Sequence, residues 1–406
     1  MKDKKVVNSL IYALIIGIVC GAVGVLMNYL LKWTGQLRGS LGFYVQLVVM
    51  VALGPVVAGC YKWLGTPDFK ATDAVVQSAR DGQEFPVKTS LSAAVGLLLT
   101  CLTESSGVKE GSSFQVGAPI AHWLGKKLNI EAPERRLLTM CAIAAGFASV
   151  LGTPFFAAFI AAEVAFNKIE IKNLPYTIVS SAVAYLLCWL TKAPKLRYSI
   201  DFGVEYGALD IVKFVAIAAV AGALGRFFLH ALGWTGKLTG KLKNPYVRIL
   251  VGGAIGAAVC ILLKTQLYLS GGNIVAPALK GEGNWYDFIL KMVFLLWMSK
   301  VGYKTGLLPQ NIAIGGAFGG TAALLLGANP AIGAAAGMIG FVGGVTCCPI
   351  AALALACDMF NVTSNFSGMG FVLWILFAGL GTLCGGFHGY YSTKKAPAPK
   401  AEAEKK

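Results

Sequence analysis

Apolar runs recur along nearly the whole chain, and few are uninterrupted: 10–31, 44–63, 91–102, 137–165, 176–190, 211–232, 249–267, 288–297, 312–326, 331–356 and 371–387. Crossing the hydrocarbon of a bilayer takes roughly 20 helical residues. Several runs are therefore too short to span, and others are broken by Pro154 or Pro349. Short, interrupted helices in corresponding parts of two halves are the usual mark of a transport site. The pattern predicts an all-α, polytopic membrane protein with two inverted-topology repeats whose broken helices meet near the midplane. Composition agrees: 13% of the 406 residues are charged, against about 25% in a soluble domain. So few charges cannot cover a water-facing surface. Fifty glycines suit close helix packing and helix breaks.

The two halves share a local pattern. Pro154 precedes Glu163 by nine residues, and Pro349 precedes Asp358 by the same interval. Each proline follows an Ala/Gly-rich stretch and a threonine, Ala144-Ala145-Gly146…Thr153 and Ala335-Ala336-Gly337…Thr346. Both acids read as structural groups that cap or pair near helix ends. The polar connection 192–207 reads as the joint, giving a first repeat over 1–195, a second over 196–392 and a basic tail over 393–406. A helix is expected from Pro133 to a break at Gly152-Thr153-Pro154, and a short amphipathic piece over 71–79. The first apolar run lacks a small-residue cleavage site and reads as a retained helix, not a signal.

The formal net charge of +16 lies on connecting loops and on both tails. By the positive-inside rule both termini face the cytoplasm, which requires an even number of crossings of the cell membrane. Charge placed around an apolar body fits anionic lipid and gives no support to nucleic acid as a partner. The ten cysteines include no Cys-x-x-Cys pair and there are three histidines. Metal and disulfide roles are therefore not expected, and no cofactor is implied.

One stretch concentrates polar groups among apolar runs: Gly107-Val108-Lys109-Glu110-Gly111-Ser112-Ser113-Phe114-Gln115-Val116-Gly117-Ala118-Pro119. Ionisable groups at membrane depth are costly and usually face a pore or a partner. Ser112 and Ser113 are suited to cap a helix running on through Leu124. That helix start would attract anions, with the Glu110 carboxylate as a tethered competitor. The ordinary alternative is a charged loop end between two helices.

These residues resemble the CLC family of chloride channels and chloride/proton antiporters. Val108-Lys109-Glu110-Gly111-Ser112 is similar to the family's G-R/K-E-G-P stretch, and Gln115-Val116-Gly117 to the V-Q-x-G that follows. Arg135-Arg136-Leu137-Leu138 and Ala144-Ala145-Gly146-Phe147-Ala148 resemble its next helix. Thr305-Gly306-Leu307-Leu308-Pro309 stands where the family has G-x-F-x-P, and Gly343-Gly344-Val345-Thr346-Cys347-Cys348-Pro349…Asp358 where it has G-V-T-R-A-P…E. The resemblance implies an anion transporter, dimeric, with one pathway per subunit. It makes Glu110 the gate, occupying an anion position when charged and leaving it when protonated. Backbone amides of Glu110, Gly111, Leu307 and Leu308 would line the anion path, with Ser112 beside them. A hydroxyl of Tyr391, or of Tyr390 one position earlier, would donate to the central anion.

The chain also departs from the family. Ser112 replaces the proline after the gate, and the early G-S-G-I-P motif has no counterpart beyond Phe69-Lys70-Ala71-Thr72-Asp73. Val164 stands where many antiporters carry a second glutamate, so proton coupling is not implied. The fluoride-exporting branch departs at the same two places and is the alternative within the family. From other classes, a membrane-embedded enzyme acting on lipids would want clustered His, Asp or Ser at one interface. A cation transporter would want acids within the apolar runs. Histidines are scarce, acids are scattered, and few acids lie within the apolar runs, which disfavours both.

Overall fold

A computed structural model describes residues 2–64, 71–81, 86–103, 109–166, 172–202, 207–270, 274–360, 368–386 and 388–390; the side chains of 2–5, 61, 71–74, 81, 109–114, 132–133, 164–166, 270 and 368–369 fall outside the description. Among the described residues there is no strand, only an isolated parallel bridge between Tyr198 and Phe360. The tail 393–406 lies outside the described residues.

Among the described residues eight helices form the first half: α1 (Lys2–Gly39), α2 (Phe43–Trp63), α3 (Ala71–Asp81), α4 (Lys88–Leu102), α5 (Lys109–Lys127), α6 (Ala132–Leu151), α7 (Pro154–Phe166) and α8 (Leu174–Leu190). Nine form the second: α9 (Ala208–Thr239), α10 (Pro245–Leu262), α11 (Leu267–Ser270), α12 (Val275–Lys280), α13 (Asp287–Val301), α14 (Leu307–Leu325), α15 (Pro330–Thr346), α16 (Pro349–Met359) and α17 (Gly368–Gly385). Among these, α1, α2, α9 and α10 are long and apolar enough to cross a membrane. At 1.5 Å per residue, the 38 residues of α1 reach ~57 Å, well beyond the ~30 Å hydrocarbon. Six of the remaining helices are shorter apolar pieces.

The same packing unit occurs twice. In the first half α1, α6 and α8 pack mutually, and in the second α9, α15 and α17 do so. The small residues that permit this correspond. Gly21 lies against Ala184 of α8, and three residues on Gly24 lies against Ser149 of α6. Gly222 lies against Gly381 of α17, and three residues on Gly225 lies against Val345 of α15. Without side chains between them the backbones approach closely, which is how helices associate where lipid removes the hydrophobic drive.

The helix breaks have local causes. α6 ends on Gly152, whose φ of 72° is left-handed and suits glycine. Pro154 then opens α7, since proline fits the first turn of a helix where its missing N–H is not needed. The second half repeats this with Cys347 (φ 54°) ahead of Pro349. The expected break at 152–154 and the amphipathic piece at 71–79 both form. α3 turns Val75, Val76 and Ala79 into the core. One expectation needs correction. α5 begins at Lys109, so Ser112 and Ser113 lie inside its first turns and do not cap it. In lipid a backbone N–H satisfied by extending the helix backwards is worth more than a serine's preference for the cap.

Candidate anion pathway

α14 starts in the interior. Its N-cap is Gly306, and no side chain caps it. Gly306, Leu307 and Leu308 are buried, and Pro309 follows without an N–H of its own. A helix leaves its first N–H groups without intrahelical partners and carries a partial positive charge there. Such a terminus is a ready anion site.

The approach to α14 is pinned from three sides. Gly302 at φ 130° turns the chain in a conformation reserved for glycine. The Tyr303 hydroxyl donates to Met50 O at 2.8 Å, fixing the turn to the middle of α2. Lys304 N then donates to Thr100 Oγ1 at 3.1 Å. Thr100 lies in the last turn of α4, the helix that leads toward α5, so the start of α14 is tied to the element feeding Lys109-Glu110.

α5 and α14 pack on each other. Glu110, Gly111 and Ser112 occupy the first turn of α5; their side chains, like that of Lys109, lie outside the described residues. The fold thus brings the helix carrying residues 110–112 against the helix carrying 307 and 308. Gly107, Val108, Lys70 and Tyr391 also lie outside the described residues. Tyr390 is described: it packs against the apolar cluster that contains Leu307, Phe341 and Val345. Its N–H donates to Val345 O at 2.7 Å, laying the chain end along the end of α15. Arg226 Nη1 secures the same segment by donating to His388 O at 2.8 Å.

Glu163 and Asp358 are buried and reach across the halves. Phe156 N donates to Asp358 Oδ2 at 2.7 Å, and Ala351 N donates to Glu163 Oε2 at 2.8 Å. Each acid therefore caps the other half's broken helix, as the sequence reading of both as structural groups anticipates. His122 is buried in α5.

One charged group escaped the sequence reading. Lys291, within the apolar run 288–297, is fully buried, and its Nζ donates to Tyr268 O and Leu269 O at 2.9 Å each. One turn earlier, Asp287 Oδ1 accepts from the Tyr268 hydroxyl at 2.8 Å and Oδ2 from Asn284 N at 2.9 Å. A lone lysine in an apolar run is itself the signal that could have found it.

Comparison with known proteins identifies the lineage. The family model described as voltage gated chloride channel matches residues 54–380. The chain belongs to the CLC family. A "Chloride/fluoride channel protein" of Pseudomonas syringae pv. tomato is 24% identical over 358 residues, covering 86% of this chain and 78% of that protein. The "H(+)/Cl(-) exchange transporter ClcA" of Citrobacter koseri is 22% identical over 345 residues, covering 77% and 71%. Among solved structures, a CLC-type fluoride/proton antiporter superposes with TM-score 0.82 at 22% identity, over 93% of this chain and 95% of that one. A slow cyanobacterial Cl-/H+ antiporter gives 0.77 at 18% identity, over 93% and 94%. At this identity the structures establish the CLC membrane fold.

Proposed function

We propose that this CLC protein carries small anions, chloride first among them, across the cell membrane, and that it acts as a transporter, not an enzyme. The observation that carries the reading is the packing of α5 on α14, a helix whose N-terminus no side chain caps. N–H dipoles at such ends replace the water around a dehydrating anion without a full cation that would trap it. Glu110 is the gate: charged, it competes for the anion position, and protonated or displaced, it yields. Gly111, Ser112, Leu307 and Leu308 line the path with their amides. Tyr391 or Tyr390 donates to the central anion, and the packing of Tyr390 against the Leu307 cluster supports a role for this segment.

The repeats run over 1–195 and 196–392, and both termini lie in the cytoplasm. The protein works as a homodimer with a pathway in each subunit. Fluoride/proton exchange is the second reading. Val164 in place of an inner glutamate, and the missing G-S-G-I-P motif, favour it over the chloride/proton antiporters.

Purified protein in vesicles, given chloride, fluoride and nitrate gradients while proton movement is recorded, tests the reading. Anion-selective flux is expected. No flux above that of empty vesicles for any of the three anions would overturn it. Protons driven uphill by fluoride would decide for the second reading.

A further inference from the structure

A cleft of about 370 Å³ opens where α9, α10 and α13 come together. Its lining is apolar: Leu238 from α9, Ile255 and Val259 from α10, Val293 and Trp297 from α13, with Thr235 as the polar exception. Leu238, Ile255 and Val293 are 56%, 45% and 53% exposed, so the cleft opens outward from the protein. Because α9 and α10 are membrane-crossing helices by length and composition, that outside is lipid. The volume is at the lower end of the roughly 300–1,000 Å³ of small-molecule sites. It has room for a segment of an acyl chain but not for a headgroup as well.

What lies at the mouth is charged. The turn joining α9 to α10 begins immediately after Leu238 and Thr239 and carries Lys241 and Lys243, with Lys237 in the last turn of α9. All three lysines are exposed. Arg248 follows in the first turn of α10. Lys300, half-buried one turn beyond Trp297, runs its stem within 3.6 Å of where a side chain on Gly236 would begin. The sequence from 211 to 281, which includes α9 and α10 beyond Asp210, contains no Asp or Glu, and neither does the sequence from 288 to 357. Trp234, 65% exposed beside this end of α9, is the kind of aromatic that settles at a bilayer interface.

The turn also sits on an identifiable side. α2 and α10 pack antiparallel, with Gly54 against Ile249 and Val51 against Gly253. The α9–α10 turn therefore lies at the C-terminal end of α2. α1 crosses and α2 returns, so that end is the side on which Lys2, Lys4 and Lys5 begin the chain. A basic side of this kind faces the cytoplasm, where anionic phospholipid concentrates and basic pockets between membrane helices bind its headgroups.

We infer that the α9–α10–α13 cleft binds an anionic phospholipid, one acyl chain in the cleft and the phosphate on Lys237, Lys241 and Lys243. The inference needs only the membrane setting and is independent of which ion is carried. The full-length protein in detergent is given equal amounts of phosphatidylglycerol and phosphatidylcholine, and retained lipid is counted by native mass spectrometry. Phosphatidylglycerol should be retained about a hundredfold over phosphatidylcholine. At about fivefold per lysine near a lipid phosphate, the exposed triple substitution Lys237→Gln, Lys241→Gln, Lys243→Gln should abolish that preference. Ile255→Trp, which fills the cleft, should release the lipid with the lysines intact. Lys126→Gln with Lys127→Gln, an exposed basic pair at the end of α5, should leave retention unchanged. Equal retention of the two lipids by the parent protein would overturn the inference. So would an equal loss on removing Lys126 and Lys127, which would make the effect one of general charge. Full retention by Ile255→Trp would place the lipid elsewhere.

Discussion

Glu163 Oε2 accepts a hydrogen bond from the backbone N–H of Ala351, 188 residues further along the chain, at 2.8 Å. Asp358 does the same for Phe156 N, 202 residues back, at 2.7 Å. Each donor is the second residue after its proline and each acceptor the ninth. α7 and α16 must therefore run antiparallel, exchanging caps as elements related by a two-fold axis in the membrane plane would. A carboxylate at a helix N-terminus satisfies N–H groups that lipid cannot and lies favourably in the helix dipole.

Removing either acceptor leaves a buried N–H unpaired. Glu163→Ala and Asp358→Ala are each expected to cost about 1.5–3 kcal/mol. Because both acids hold one helix–helix contact, the double variant should depart from the sum of the singles. Thermal unfolding of the purified protein, followed by loss of the native peak on size exclusion, measures all three.

Glycine positions provide a contrast within neighbouring helices. A Cβ on Gly344 would sit 2.3 Å from Gly222 O, whereas one on Gly379 meets nothing within 4 Å. Gly344→Ala must push α15 off α9 and should destabilise by about 1–3 kcal/mol or more. Gly379→Ala should be neutral or slightly stabilising, since alanine is the better helix former. The same unfolding assay compares them directly.

Lys291 holds α11 to α13 through the Tyr268 and Leu269 carbonyls. Lys291→Met keeps most of the side chain's apolar stem and loses the ammonium that donates to both carbonyls, stranding them. A loss of roughly 2–4 kcal/mol is expected. Hydrogen exchange should rise first over 267–270, the segment these bonds secure.

Much of the architecture is legible from residue order. The broken apolar runs specify a membrane bundle, and the Pro154…Glu163 and Pro349…Asp358 intervals expose the repeat. That those acids cap or pair near helix ends is legible; which helix each caps is not, because the partner of each lies in the other half and only folding brings them within reach. The start of α5 is misread for a different reason. Serine's cap preference is a property of helices in water, and Ser112 and Ser113 lie where the helix gains more by continuing back to Lys109. Lys291 is missed because a single charge hardly alters the hydropathy of its run. The site itself is legible only by family resemblance. The role proposed for Leu307 and Leu308 is one of the backbone, and no side-chain chemistry marks them.

Anion flux across vesicles as a function of pH, for the parent and Glu110→Gln, tests the gate most directly. Protonation vacates the anion position, so the parent's flux should rise as pH falls. The neutral glutamine cannot compete for that position or titrate, so its flux should differ from the parent's and stay flat with pH. A variant whose rate and pH profile both match the parent's would contradict the assignment of Glu110.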